Sequence, residues 1–532
     1  MTSLSLRAAL AALLTLAAAA NVAAKPLVVC TEASPEGFDI VQYTTAVTAD
    51  ASAETVFNRL VDFKPGTTDI QPALAERWEI SADALTYTFH LRPGVKFHST
   101  DYFTPTRDFN ADDVLWSFRR QLDPNHPWHN KTSVGYPYFE SMAFSKLIKS
   151  VEKTDQLTVV FTLNRPEAPF LRDMAMAFTS IYSAEYGDQL LKAGTPNLLN
   201  SKPIGTGPFI FQRYRKDAQV RYKANPEYFR GKPPADPLIF VIATDNNVRV
   251  QKLHANECQV ALHPKPDDVP LIRQDKRLKV AELEALVTGY IAMNTQRKYL
   301  SDARVRRAIN LAFDRQAHVD QLFGKGNALM AVNPYPPSMS GFNTDNHNPP
   351  RDLDKARALL AEAGVPPGTA LTLFTRNGGG PTNPNPRLSA EMLQADLAQI
   401  GIKLEIRVME WAEMLRRAKN GEADLVSTGW GSDNGDPDNF LTPLLSCDAA
   451  KSGENYARWC NSEFQALISQ ARTVIDEDQR ANLYFKALAV YDGDQPWISM
   501  AHPKVFTAMR ANVEGYQLNP LTNNNFATTW VE

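Results

Sequence analysis

In the amino-terminal half of the chain, apolar residues recur mainly with the two-residue period of a β-strand. Alternation or short apolar runs predict strands at residues 27–30, 85–91 and 157–163. Between the first two strands and the third, Asn110 stands before two acids and an apolar run, which is typical of a capped helix start. This half is therefore predicted to combine strands with interspersed helices.

In the carboxy-terminal half, helix-like and strand-like segments alternate more regularly. Apolar residues spaced three and four apart predict helices, and β-rich runs between them predict strands. The predicted helices cover residues 302–323, 353–363, 388–400 and 414–419, and the predicted strands cover residues 371–374, 402–408 and 424–428. Such alternation is typical of a mixed α/β domain built around a sheet.

A turn-rich acidic run at residues 429–440 follows the last of these strands. Gly, Asn and Pro-Asp favour a loop here, and the loop carries Asp433, Asp436 and Asp438 beside Trp430. A carboxylate on a loop flanked by an aromatic side chain suits the capture of a cationic group, such as a ligand ammonium. The alternative for the same residues is a solvated acidic turn without a ligand.

The first 24 residues have the composition of an export signal. Arg7 is their only charged residue, an Ala/Leu-rich stretch follows it, and small residues precede Lys25. We therefore expect a signal peptide at residues 1–24, cleaved near Ala24, and a mature protein in the periplasm. No other apolar run approaches the roughly 18 residues that a membrane-spanning helix needs.

The length and the charge of the chain restrict its domain organisation and its possible partners. The 532-residue chain is longer than one hydrophobic core supports, so two or more domains are expected. Without Arg7, the 56 basic residues become 55 against 59 acidic ones. This balance argues against nucleic acid or an anionic membrane as the main partner.

The cysteine count fits export. Four cysteines in an exported chain predict disulfide bonds. Three pairings are open, and one of them joins Cys447 to Cys460 in a short loop and leaves Cys30 with Cys258.

The known enzyme motifs are absent from the sequence. It contains no P-loop, no glycine-rich dinucleotide turn after a strand and no nucleophile elbow. The closest histidine pair, His126 and His129, is interrupted by Pro127, which favours a surface turn over a metal site. We therefore expect no metal, no cofactor and no enzymatic activity.

Seven segments, taken together, carry a likeness to a known family. They are residues 32–38, 74–78, 87–98, 110–114, 165–171, 203–209, and the 429–440 run with the two cysteines that follow it. In this order they resemble the solute-binding proteins of peptide ABC transporters, and specifically the dipeptide-binding branch. The likeness covers nearly the whole mature chain, and the set is specific although each segment alone is weak.

The resemblance implies an α/β, two-lobed periplasmic binding protein fold that closes on its ligand by a hinge. Lobe I would be discontinuous and would carry an extra inserted domain. The implied boundaries are 25–56, 208–284 and 504–532 for lobe I, 57–207 for the extra domain, and 285–503 for lobe II. The resemblance also implies the disulfides Cys30–Cys258, within lobe I, and Cys447–Cys460, beside the ligand-binding loop.

The resemblance also implies a ligand site. In the dipeptide-binding branch a carboxylate of this loop holds the α-ammonium of the ligand, and that position falls on Asp433. The same wall would include Trp430, Gly431 and Ser432, and the opposite wall would include Thr44, Thr45 and Ala46, whose backbone groups can pair with a peptide unit. Trp411 is a further candidate, with a core position as its alternative.

The chain departs from the family where the carboxylate of the ligand is held. The family has Arg-Pro-Tyr before Asn-Pro-Asn, whereas this chain has Gly380, Pro381 and Thr382. Without that arginine the pocket would be roomier and less basic, unless Arg376 reaches into it. Arg387 is a poor substitute, because it matches an arginine that the family has anyway.

Three hypotheses follow for the function. The first is a monomeric periplasmic protein that captures di- and tripeptides and delivers them to an inner-membrane ABC permease. The second keeps the fold but places a modified peptide, haem or another non-peptide solute in the cleft. The third is a secreted hydrolase that uses the paired acids of the 429–440 run. The occupant of the cleft distinguishes the first two, and a turnover assay tests the third.

Overall fold

The computed structural model describes residues 25–452 and 455–532. The expected signal peptide and its cleavage site lie outside the described residues.

The strands follow one another along the whole chain. They are β1 (Leu27–Thr31), β2 (Val61–Phe63), β3 (Ile70–Pro72), β4 (Ala75–Ile80), β5 (Thr86–Leu91), β6 (Ile148–Asp155), β7 (Thr158–Leu163), β8 (Phe209–Arg215), β9 (Gln219–Ala224), β10 (Leu238–Ile242), β11 (Val260–Leu262), β12 (Leu278–Glu284), β13 (Val287–Met293), β14 (Ala328–Met330), β15 (Thr369–Arg376), β16 (Ile402–Met409), β17 (Leu425–Gly431), β18 (Trp497–Arg510), β19 (Val513–Glu514) and β20 (Trp530–Val531).

The α-helices are interspersed among them. They are α1 (Ala46–Ala51), α2 (Ala111–Leu122), α3 (Pro137–Ser141), α4 (Phe144–Leu147), α5 (Phe170–Asp173), α6 (Ala184–Lys192), α7 (Asn246–His254), α8 (Val269–Gln274), α9 (Ala303–Ala312), α10 (Arg315–Phe323), α11 (Leu353–Glu362), α12 (Pro386–Ala398), α13 (Trp411–Lys419), α14 (Asp438–Leu445), α15 (Ala449–Ser452), α16 (Ser462–Thr473) and α17 (Glu477–Asp494). None of the described helices is both long and apolar enough to cross a lipid bilayer.

One large sheet has two halves that share the long strand β18. The strand order is β16-β15-β17-β13-β18-β11-β1-β10-β9-β8, and β12 and β14 pair with β18 off this path. Residues 497–501 of β18 pair with β13, whereas residues 504–510 pair with β12. We call β1 and β8–β12, with the chain between β8 and β12, the first half, and β13–β17, with the chain between β13 and β18, the second half. The chain crosses between them after β12 and within β18.

A separate four-stranded antiparallel sheet forms within residues 57–207, which we call the inserted segment. Its order is β4-β5-β7-β6, and helix α2 packs on it. Helix α2 begins where the sequence predicts, because Asn110 accepts a hydrogen bond from the Asp112 backbone and Asp113 completes a capping box. The predicted strands at residues 85–91 and 157–163 are found here as β5 and β7.

The single helix predicted at residues 302–323 is wrong, because the structure has two helices there. Helix α9 ends at Ala312, Phe313 is extended, and α10 begins at Arg315. Asp314 lies between them and accepts a hydrogen bond from the Ala317 backbone at 3.0 Å. Aspartate competes for backbone donors inside a helix but stabilises a helix start, so this residue restarts the helix in a new direction.

The turn-rich loop predicted at residues 429–440 is shorter than expected. Strand β17 continues to Gly431, because Val287 of β13 pairs opposite Gly431 and keeps the ladder intact. A Cβ atom at Gly429 would collide with Thr382, so glycine here permits a close approach and does not end the strand. Helix α14 then begins at Asp438, which leaves a loop of residues 432–437.

The two disulfide bonds inferred from the resemblance are confirmed. Cys30 of β1 is bonded to Cys258, with a Cα–Cα distance of 5.8 Å, and they join two segments of the first half. Cys447 and Cys460 are bonded with a Cα–Cα distance of 4.6 Å. The second bond ties the segment after α14 to the start of α16.

Removing the long-range disulfide should destabilise the protein more than removing the short-range one. In the chain-entropy account, closing a loop of 228 residues contributes about 5 kcal/mol and closing one of 13 residues about 3 kcal/mol. We therefore expect a larger loss of unfolding free energy for the Cys30→Ala/Cys258→Ala variant than for Cys447→Ala/Cys460→Ala. Denaturant unfolding of both variants measures the difference, and a larger loss for the second variant contradicts this expectation.

Candidate functional site

A cavity between the two halves of the sheet gathers most of the residues that the sequence singles out. Its volume is about 110 Å³. One wall comes from the segment after β1, and the facing wall comes from the second half. The predicted residues that line it are Thr44, Thr45, Ala46, Pro381, Thr382, Trp411, Trp430, Gly431 and Asp433.

Asp433 is fixed at the wall of the cavity by hydrogen bonds on two sides. Its backbone N–H donates to Asn439 Oδ1 at 2.8 Å, and Trp430 Nε1 donates to the same oxygen at 3.1 Å. The hydroxyl of Tyr138, in the inserted segment, donates to Asp433 Oδ2. The carboxylate is therefore oriented before any ligand arrives.

Burial raises the pKa of Asp433 to about 7, and the hydrogen bonds involving Tyr138 and Asn439 only partly counteract it. A carboxylate that is difficult to ionise alone gains much from a cationic partner, because the partner restores the stabilisation that water would give. Asp433 is thus suited to hold a positive group.

The other two acids of the predicted run do not share this environment. Asp436 accepts two hydrogen bonds from Arg480, at 2.6 and 2.7 Å. Asp438 is fully buried, with its Oδ2 atom 3.7 Å from Arg472 Nε. Of the three acids of the run only Asp433 lines the cavity, so the run itself does not place a pair of carboxylates there.

A cation also lines the cavity, and it is Arg376 at the end of β15. Its Cζ atom lies 4.6 Å from the centroid of the Trp411 ring. A Cβ atom on Gly380 would overlap Arg376 Nη2, so the glycine provides the space that the guanidinium occupies. Of the two alternatives left open by the sequence, the structure shows the one in which Arg376 reaches into the cavity. Arg387 instead forms an exposed ion pair with Glu391 at 3.0 Å.

The electrostatic surroundings leave Arg376 available to an anion. Burial lowers its pKa, and the charge of Glu32 opposes that shift. No described residue accepts a hydrogen bond from its guanidinium group. The nearby Arg249, in contrast, donates five hydrogen bonds to protein oxygens, among them the carbonyl of His263 at 3.2 Å. An anion that enters the cavity could therefore accept hydrogen bonds from Arg376, whereas the N–H groups of Arg249 already donate to protein oxygens.

Two predicted site residues do not line the cavity. The Ser432 backbone donates to the Leu286 carbonyl at 2.7 Å, and its hydroxyl accepts from Gly435 at 2.9 Å, so it holds the loop in shape. Gly380 closes a tight turn with Asn383, and its N–H donates to that residue's carbonyl at 2.9 Å. Both act on the site through their neighbours.

Several lining residues are absent from the sequence prediction. They include Glu32, Val287, Tyr290, Tyr456 and Thr522. Glu32 opens one of the segments that carry the family likeness, and this signal could have identified it. The others carry no local motif and are brought together by the fold. Among the described residues, no group of three or more His, Cys, Asp and Glu is placed to hold a metal ion.

Comparison with known proteins assigns the family. Residues 69–452 match the model of the family described as "Bacterial extracellular solute-binding proteins, family 5 Middle". The chain belongs to this family. It is 63% identical over 523 residues to Di/tripeptide-binding protein 4 of Pseudomonas aeruginosa (strain UCBPP-PA14), and the match covers 98% of each chain.

Two solved structures of periplasmic or dipeptide-binding proteins overlap with almost the whole chain. The dipeptide-binding protein of Pseudoalteromonas sp. SM9913, solved with Met-Leu, has a TM-score of 0.92 and 36% identity, and the match covers 96% of this chain and 100% of that one. The ABC transporter-associated periplasmic binding protein DppA of Helicobacter pylori, solved with the peptide STSA, has a TM-score of 0.91 and 35% identity, with coverage of 95% and 98%. The predicted α/β, two-lobed fold is confirmed by these overlaps.

Proposed function

We propose that this family 5 protein captures short peptides, chiefly di- and tripeptides, in the cavity between its lobes and delivers them to an inner-membrane ABC permease. The observation that carries the proposal is that an acid, Asp433, and a cation, Arg376, line the same cavity. A zwitterionic peptide has one group for each of them. The names of the similar proteins, which describe di- and tripeptide or dipeptide binding, support the same ligand class.

The cavity provides partners for each part of such a ligand. The ammonium group would pair with Asp433, and the carboxylate would pair with Arg376 through charge-assisted hydrogen bonds. Backbone groups at residues 44–46 would pair with the peptide unit. Trp430 and Trp411 would cover the apolar surface of the ligand and exclude water, which strengthens both charged contacts.

We infer that the lobes close as units about the two crossings described above. Lobe I would comprise residues 25–56, 208–284 and 504–532, with 57–207 as an extra domain, and lobe II would comprise residues 285–503. Both crossings are short, so rotation about them would open the cavity without disturbing either half of the sheet. The protein would act as a monomer in the periplasm after cleavage near Ala24.

Calorimetric titration tests this ligand class. Dialanine and trialanine should bind to the purified mature protein, whereas N-acetyl-dialanine amide, which lacks both charges, should bind at least 100-fold more weakly. Haem serves as the probe for the alternative of a non-peptide solute, and native mass spectrometry identifies any co-purified occupant. Binding of haem without binding of any peptide would contradict the proposal.

The same preparation tests the absence of catalysis. Family 5 consists of solute-binding proteins, and of the acids of the 429–440 run only Asp433 lines the cavity, so we expect bound peptides to be released intact. Mass spectrometry after prolonged incubation with trialanine should find no dialanine or alanine. Hydrolysis of trialanine that occurs only in the presence of the protein would support the hydrolase hypothesis instead.

Peptide affinity should fall as the pH drops below 7. The pKa of Asp433 in the free protein is about 7, and pairing with an ammonium requires the ionised form, so below pH 7 binding must release a proton. Affinity should weaken by up to about tenfold for each pH unit below 7, and should fall again above about 8 as the peptide amine loses its proton. Titration of dialanine between pH 5 and 9 measures the profile. An affinity that is constant from pH 5 to 7.5 would exclude this role of Asp433.

A further inference from the structure

A buried cluster of charges joins the inserted segment to the second half, away from the cavity lining. Arg472 of α16 is 5% exposed, and its Nε donates to Glu167, which is fully buried in the inserted segment. Arg472 Nη2 donates to the Met142 carbonyl at 2.9 Å, and the Arg472 carbonyl accepts from the Ala168 backbone at 2.7 Å. One residue of the second half is thus held by three residues of the inserted segment.

Further charged groups surround this pair from both sides. Asp438, from the second half, lies 3.7 Å from Arg472 Nε, and Arg165, from the inserted segment, lies 3.3 Å from Glu167 Oε2. Asp173, in α5 of the inserted segment, accepts from Asn434 Nδ2 at 2.8 Å. The junction therefore holds three buried carboxylates, and Arg472 is the one buried cation among the described residues there.

The arrangement has a conformational consequence. Charges buried in a protein are strongly destabilising unless they are paired, whereas the same charges in water need no partner. Arg472 and Asp438 belong to the second half, whereas Glu167 and Asp173 belong to the inserted segment. If the second half rotates away, both sets of groups reach solvent, and the pairing exists only in the closed form.

We propose that Arg472 is a closure latch: its pairing with Glu167 stabilises the closed form and thereby raises ligand affinity without contact with the ligand. The inserted segment would then set how tightly the protein holds any ligand, although most of its residues lie outside the cavity lining. The inference rests on the proposed function only for its affinity readout. When the closed form is a fraction of the population, the apparent dissociation constant rises as that fraction falls.

Two variants at the junction test the latch. Arg472→Met keeps most of the side-chain volume but removes the charge, and it leaves Glu167 buried without its main partner. We expect it to weaken dialanine binding at least tenfold, chiefly through faster release. Glu167→Gln keeps the shape of the acceptor and should weaken binding in the same direction. The double variant Arg472→Met/Glu167→Met should be less impaired than the product of the single effects, because neither side then buries a lone charge.

A matched control separates closure from general loss of stability. Arg351 and Asp396 form an ion pair at 2.9 Å that lies entirely within the second half. Arg351→Met should lower stability without changing the affinity for dialanine. Unchanged affinity in both Arg472→Met and Glu167→Gln, with both variants folded, would overturn the latch.

A distance measurement tests the latch even if dialanine does not bind. All four native cysteines are in disulfide bonds, so spin labels can be placed selectively at Glu140→Cys, in the inserted segment, and Lys451→Cys, in the second half. Pulsed electron–electron double resonance on the ligand-free protein measures the distance between the two labels. The population with the shorter distance should be smaller in Arg472→Met than in the labelled parent. An identical distribution would overturn the latch, whereas failure of the parent to bind any peptide would overturn only the proposed function.

Discussion

Asp433→Asn should weaken dialanine binding by about 3–4 kcal/mol, or several-hundred-fold, the largest single effect that the structure predicts. The asparagine keeps the shape of the side chain and still offers an oxygen to the Tyr138 hydroxyl. It removes the negative charge that a buried ammonium needs, and the ammonium then has no ionic partner on that wall.

The control for Asp433 uses both a second variant and a second ligand. Asp354→Asn makes the same chemical change at a side chain that is 93% exposed, and it should leave affinity unchanged. N-acetyl-dialanine, which lacks the ammonium, should bind the parent and Asp433→Asn about equally. Equal dialanine affinity in Asp433→Asn and the parent would remove Asp433 from the site.

Arg376→Met should produce the second largest loss, and only for ligands with a free carboxylate. We expect about 2–3 kcal/mol for dialanine, the usual magnitude when one partner of a buried charged hydrogen bond is removed. Dialanine amide should bind Arg376→Met and the parent about equally, because it offers no anion. Calorimetry with the acid and the amide on both proteins gives all four affinities.

Gly380→Ala provides an independent test of the same guanidinium group. The added Cβ would occupy the position of Arg376 Nη2, so the guanidinium must move while its charge is kept. The variant should lose affinity for the acid more than for the amide. If the parent binds the amide as well as the acid, Arg376 is not the carboxylate partner, and the pocket is open at that end as the sequence alone suggests.

The sequence predicted what depends on local chemistry. Asn110 followed by two acids gives a capped helix start, and the structure has helix α2 from the next residue. The acidic run at residues 429–440 has a recognisable local pattern, and the family resemblance selected Asp433 among its three acids. The two disulfides and the two-lobed fold followed from the resemblance of several ordered segments.

The sequence did not predict the features that depend on contacts between residues far apart along the chain. Strand β17 continues to Gly431 because β13, about 140 residues earlier, supplies a pairing edge. The position of Arg376 depends on the empty space at Gly380 and on the Trp411 ring, and neither is visible from arginine alone. The proposed latch joins Arg472 to a segment about 300 residues earlier, so no pattern in the local sequence predicts the contact.

A structure of the dialanine complex would show which groups of the protein hold the two charged ends of the peptide. We expect the ammonium group within about 2.7–3.0 Å of an Asp433 carboxylate oxygen and the peptide carboxylate hydrogen-bonded to Arg376, in the cavity between residues 44–46 and Trp430. An ammonium paired with Glu32, a reversed peptide, or a ligand bound outside this cavity would contradict it.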